Sequence, residues 1–179
     1  YSRPRHVCIE ASTVCQLKCV SCPTSNKIIH KVFGSGFLSF NDYKHFIEAH
    51  PWITRIELSN WGEVFLNPEL TEILEFSQQK NILLTIDNGA NMNAVPEKVL
   101  EALVRCRVQS ITCSIDGASE ETYSVYRVNG SYNQVIKNIR RLNEYKQQYG
   151  CDKPRLRWQF VAFGHNEHEI GTARSLASN

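Results

Sequence analysis

Cys15-Gln16-Leu17-Lys18-Cys19-Val20-Ser21-Cys22 sets three thiols in eight residues, spaced by three and then two intervening positions. Residues 5–10, just before it, read as a short strand, and an irregular loop carries the cysteines, its dense part ending at Pro23. A flexible loop with this spacing wraps three thiolates around three irons of an iron–sulfur cubane and leaves the fourth iron a free coordination position. Two other readings fit the same residues. A helix with steps of four and three would turn the cysteines toward a core, and a zinc site would recruit Cys8 as fourth ligand.

Outward from the loop the chain alternates helix and strand. After a glycine-punctuated stretch to Ser39, Asn41 caps a helix through residue 50, and residues 53–59 form a β-branched strand leading into Asn60-Trp61-Gly62-Glu63. Asn67-Pro68-Glu69 starts a helix with Leu70, Ile73, Leu74 and Ser77 on one face, followed by a strand over 82–86. The unit recurs as a helix over 96–106, a strand over 109–115, and a long helix with Val135, Ile139, Leu142 and Tyr145 at helical spacing. Residues 156–163 are a fifth strand, and Asn166 with Glu169 resembles a capping box for a final helix. Such a series is α/β, a parallel sheet with right-handed crossovers that is either doubly wound or curved into a barrel. No linker or repeat divides it, so residues 1–179 are expected to form one domain.

Composition narrows the function. A net charge of +2 with interspersed acids and bases gives no electrostatic footprint for nucleic acid. Apolar runs are strand-sized, short of the roughly 18 residues that cross a bilayer, and no leader opens the chain, which points to a soluble, cytoplasmic protein. A start at Tyr1 and a stop in a helix-like run at Asn179 suggest a partial chain. The seven cysteines are odd in number and clustered, which favours a metal site over a disulfide framework. The six histidines, His6, His30, His45, His50, His165 and His168, form no ligand pair on a helix face.

Placed just after a first strand, Cys15, Cys19 and Cys22 resemble the signature loop of radical S-adenosylmethionine (radical SAM) enzymes. The resemblance implies a partial (β/α)6 TIM-like barrel whose sixth strand has no counterpart here. It further implies a [4Fe-4S] cluster on these cysteines, whose open iron binds S-adenosyl-L-methionine and cleaves it reductively to a 5′-deoxyadenosyl radical that abstracts a substrate hydrogen. Asn60-Trp61-Gly62-Glu63 is similar to the family's Gly-Gly-Glu-Pro motif, with Trp61 for the first glycine and Val64 for proline, and implies that Gly62 and Glu63 meet the methionine amino group. Ser114-Ile115-Asp116-Gly117 with Tyr126-Arg127 resembles a segment of the peptide-modifying branch, in which Ser114 and Asp116 border the cofactor and Arg127 faces its carboxylate. Asn88-Gly89 resembles a Thr-Asn-Gly turn, with Asp87 for threonine, which makes Asn88 a neighbour of the ribose or sulfonium. Gln159 is a ribose contact by the same resemblance, and Ser21 stands where an aromatic residue is usual.

The branch most resembled carries a C-terminal SPASM-type domain with auxiliary clusters, for which no cysteines follow Cys151. Its members imply a peptide or protein substrate and an external electron donor such as flavodoxin or ferredoxin. A small-metabolite substrate, and a noncatalytic iron–sulfur or zinc module, are the alternatives.

Overall fold

Five short strands, β1 (His6–Cys8), β2 (Arg55–Glu57), β3 (Leu83–Ala90), β4 (Ser110–Ser114) and β5 (Arg155–Gln159), pair in parallel in the order β1-β2-β3-β4-β5. The structure, a computed structural model, describes residues 3–178. Strand order settles what periodicity left open. A doubly wound sheet reverses its order at a switch point, whereas a strictly sequential one with crossovers of one hand puts every helix on the same face, as in a barrel. The chain is the partial barrel of the expected α/β class.

Helices α1 (Ile28–Phe33) and α2 (Phe40–Ala49) link β1 to β2, α3 (Leu70–Gln79) links β2 to β3, and α4 (Glu97–Arg105) links β3 to β4. Helices α5 (Glu120–Tyr126) and α6 (Tyr132–Gln148) lie between β4 and β5, and α7 (Ile170–Ala177) follows. In-register rows explain the layering. Val7, Ile56 and Leu84 are aligned, as are Ile86, Ile111 and Leu156, then Cys113 and Trp158. These rows join Leu70, Ile73 and Leu74 of α3, Val99, Leu100 and Leu103 of α4 and Leu142 of α6 in one core. The alternate rows are polar, with Cys8, Glu57, Thr85, Ser110 and Arg155 in one line and Thr112 beside Arg157 in another.

Several expectations shift. Ser39, not Asn41, caps α2, its side chain accepting from Asp42 N. α5 begins under the same device at Ser119, which accepts from Thr122 N, but its seven residues are too few to show a period. α1 has no side-chain cap, and its N-cap Lys27 is left-handed at φ 59°, so nothing in the sequence announces it. The capping box at Asn166 is not formed. Asn166 is wholly buried and donates through Nδ2 to the carbonyls of Asp116 and Val161, while Glu169 accepts from Ala118 N at 2.7 Å. These two residues tie the β5 exit to the β4 loop instead of capping their own helix.

Candidate active site at the carboxyl ends of the strands

The cysteine loop leaves β1 as extended chain, with Ile9 and Ala11 donating to Glu57 and Leu58 carbonyls. Loops from the neighbouring strands then hold it. After β2, Glu63 N donates to Val14 O at 2.7 Å, and Thr24 Oγ1 donates to the Trp61 carbonyl at 2.7 Å. The turn between them is gripped by Glu10, whose carboxylate accepts from Trp61 N and Gly62 N. Burial raises the Glu10 pKa against the pull of those two amides. Gly62 is required because a Cβ there would fall 2.0 Å from the Ser12 carbonyl oxygen.

After β3, Asn91 takes over. Its Nδ2 donates to Cys15 Sγ at 3.7 Å, its Oδ1 accepts from Gln16 at 3.0 Å, and its backbone N–H donates to Glu63 Oε2 at 2.7 Å. At the end of α5 three consecutive residues meet the loop. Tyr126 and Ser21 hydroxyls lie 2.9 Å apart, Arg127 Nη1 donates to Cys19 Sγ at 3.8 Å, and Val128 O accepts from Lys18 N at 2.9 Å. Cys19 is buried, and Cys15 and Cys22 are partly open.

The thiols are closely coupled. Burial pushes Cys15 up to about 11, against a bond from Leu17 N, and Glu63 and the other two cysteines add to the rise. Burial also raises Cys19, while Arg127 draws it back. Metal ligation releases the protons of such buried thiols to solvent and leaves thiolate donors. Among the described residues no three His, Cys, Asp or Glu side chains converge on a point as one ion needs. A cubane spreads its thiolates over three irons, so a three-cysteine loop with neutral and cationic donors behind it suits that larger group. Cys8, the fourth zinc ligand considered from sequence, instead sits beside Ser59 and Asn88 on the polar side of the sheet. The other cysteines are free, with Cys106 and Cys113 buried.

The remaining expected residues fall into two groups. Ser114 and Gln159 come together on the polar side of β4 and β5, while Asn88 of β3 is bonded to Ser59 beyond β2. Ser114 Oγ donates to Gln159 Oε1 at 3.2 Å, and Gly89, at φ 111°, packs so closely that a Cβ would lie 2.6 Å from Ser114 Oγ. Asn88 Nδ2 donates to Ser59 O at 2.7 Å. Glu63 and Asp116 form the second group, and both carboxylates are buried and bonded to neighbouring loops. Glu63 is 3% exposed and its carboxylate accepts from Phe65 N and Asn91 N, so it braces two loops from within. Burial pushes it up to about 7. Asp116 is fully buried, with Oδ1 accepting from Val161 N at 2.8 Å and Oδ2 from Arg127 Nε at 2.6 Å. Arg127 is thus held from inside, with Nη2 outside the Asp116 and Cys19 bonds.

Sequence reading passed over Glu10, Gln16 and Asn91 and gave Asn166 a capping role in place of its buried bonds. For Glu10 and Asn91 the signal is an acid or amide just past a strand end, where loop amides need acceptors.

Residues 9–152 match the family model described as the Radical SAM superfamily. The chain belongs to this superfamily. Its members use a [4Fe-4S] cluster and S-adenosylmethionine. An AdoMet-dependent heme synthase of Methanosarcina barkeri (strain Fusaro / DSM 804) is 26% identical over 138 residues, 76% of this chain and 38% of that protein. Among solved structures, Streptococcus suis SuiB bound to S-adenosylmethionine superposes with a TM-score of 0.72 at 17% identity, covering 96% of this chain and 36% of that one. SuiB bound to its precursor peptide SuiA gives 0.73 at 16% identity over the same shares. The chain thus spans a little over a third of the length of these relatives, and the structural likeness is one of fold. No helix among the described residues is long and apolar enough to cross a membrane.

Proposed function

We propose that residues 1–179 form the cofactor-binding domain of a radical enzyme that modifies a peptide or protein side chain, with Cys15, Cys19 and Cys22 as cluster ligands. The observation that carries this reading is the cysteine loop itself, anchored by Glu63 and Trp61 after β2, by Asn91 after β3 and by Tyr126 to Val128 after α5. When bound, the reduced cluster supplies one electron that breaks the bond from sulfur to the 5′ carbon of S-adenosylmethionine, yielding methionine and the 5′-deoxyadenosyl radical.

The chain's own groups position and shield. Gly62 lets the turn after β2 approach the loop, and its backbone, not the Glu63 carboxylate, is the part left to meet an ammonium. Asn88, Ser114 and Gln159 line the polar side where a ribose would be bonded. Arg127, fixed by Asp116, offers its outer Nη2 to a carboxylate. A peptide substrate is supported by the likeness to SuiB, whose structure holds its precursor peptide. Free thiols suit the reducing cytoplasm, where a flavodoxin or ferredoxin would deliver the electron.

The test is anaerobic reconstitution with iron and sulfide, reduction, and chromatography for 5′-deoxyadenosine, with wild type beside Cys19→Ala. Product from wild type alone is expected. Zinc uptake with no cluster absorbance, or an assembled cluster that yields no product, would overturn the reading.

A further inference from the structure

We infer that Arg127 is a positioning residue for the cluster's electron, a fixed cation at Cys19 that raises the reduction potential of the cluster held by this loop. The inference rests on the function proposed above but concerns a different property from S-adenosylmethionine binding. Three features carry it.

The first is placement. Arg127 Nη1 lies 3.8 Å from Cys19 Sγ, and Cys19 is 4% exposed. The second is rigidity. Asp116 is fully buried, and with one oxygen on Val161 N its other is directed at Arg127 Nε, at 2.6 Å. The flanking contacts, Tyr126 with Ser21 and Val128 with Lys18, hold the backbone on either side of Arg127 against the same loop. The guanidinium is thus bonded at Nε to Asp116 and at Nη1 to the sulfur. The third is asymmetry. Cys15 is met by the neutral amide of Asn91, so of these two ligands only Cys19 faces a cation. As an arginine, Arg127 carries its charge at any working pH.

Reduction adds one electron and one negative charge to a [4Fe-4S]2+ cluster, giving [4Fe-4S]+. A donor and a positive charge at a ligand sulfur stabilise the more negative state, and little solvent is present to screen them. The Asp116 carboxylate offsets part of this effect. It is one bond farther from the sulfur, however, and its charge is shared with Val161 N–H, so the nearer cation decides the sign.

The experiment is an EPR-monitored redox titration of the reconstituted chain without S-adenosylmethionine, with iron and sulfide content measured in every sample. Wild type is compared with Arg127→Gln and Arg127→Lys. The midpoint should move to more negative potential in Arg127→Gln, with Arg127→Lys between it and wild type because the charge is kept and the fixed fork is lost. Equal midpoints, with weaker S-adenosylmethionine binding by calorimetry, would overturn the inference and leave Arg127 as a carboxylate ligand only. Loss of the cluster from both variants would also overturn it, making Arg127 a structural pin of the loop. Wild type that forms no [4Fe-4S] signal would fail the proposed function itself, and is distinguished before any variant is compared.

Discussion

Ile111 and Thr112 are neighbours in the chain and belong to opposite worlds. Ile111 is fully buried on the helix-covered side of β4, in register with Ile86 and Leu156. Thr112 is on the polar side, where its hydroxyl accepts from Arg157 at 3.2 Å and donates to Asp87 at 3.4 Å. The first side is held by apolar area, which any well-fitting hydrophobe supplies. The second is held by partners. Glu57 alone accepts from the hydroxyls of Ser59 and Thr85, bonds that specify those residues, and from the backbone N–H groups of Ser59 and Asp87. The barrel thus draws its stability from one face and keeps the other polar, with Ser114 and Gln159 meeting on it. Ile111→Ala should therefore give the largest stability loss, about 2–5 kcal/mol, through lost transfer energy and a cavity. Denaturant unfolding measures it, and a loss below that of polar-face substitutions would break the comparison.

The rim where the two sides end should show an intermediate effect. Glu63 is a carboxyl in core-like surroundings, pushed up to about 7 by burial despite the Asn91 and Phe65 amides. A folded-state value above that of the unfolded chain means the folded state holds more protons between the ordinary carboxyl pKa and 7. Stability must then fall as pH rises through that window and level off above it. The drop is at most about 3 kcal/mol, because each tenfold difference in proton affinity between folded and unfolded chain is worth roughly 1.4 kcal/mol. Measured as the slope of unfolding free energy against pH, it should flatten in Glu63→Gln, whose side chain does not titrate. The same slope in both proteins would show Glu63 ionised and solvated.

This division also explains what the sequence disclosed. The apolar rows on β2, β3 and β4 and the Leu70, Ile73, Leu74 and Ser77 face of α3 recur at fixed periods, so the strands and long helices were readable. The cysteine loop was readable because its chemistry depends on spacing. The choice between a doubly wound sheet and a barrel was not, since strand order lies outside any local pattern. Neither were the buried roles of Glu63 and Asp116. A carboxylate at a strand end looks the same in sequence whether it faces a ligand or accepts loop amides, and the acceptors of those amides are set by contacts such as Glu63 with Asn91, 28 positions apart. Glu10 escaped for the same reason, with Trp61 as its partner.

The smallest effect is expected at Asp87, the residue that stands where the family's turn has threonine. Its carboxylate accepts from Ser110 at 2.8 Å and Thr112 at 3.4 Å and lies 3.8 Å from Arg157, but Asp87 and Arg157 side chains are 33% and 63% exposed. Solvent screens such a pair, and asparagine keeps the shape and one acceptor. Asp87→Asn should cost less than about 1 kcal/mol, and a double-mutant cycle with Arg157→Gln should return a coupling below the same figure. A coupling several times larger would mean that the polar face is welded by charge and contributes to folding as the apolar face does. A small one, beside the large loss at Ile111, would mean that β4 divides its work residue by residue, with Thr112 and Asp87 free to be altered for recognition while the fold stays in place.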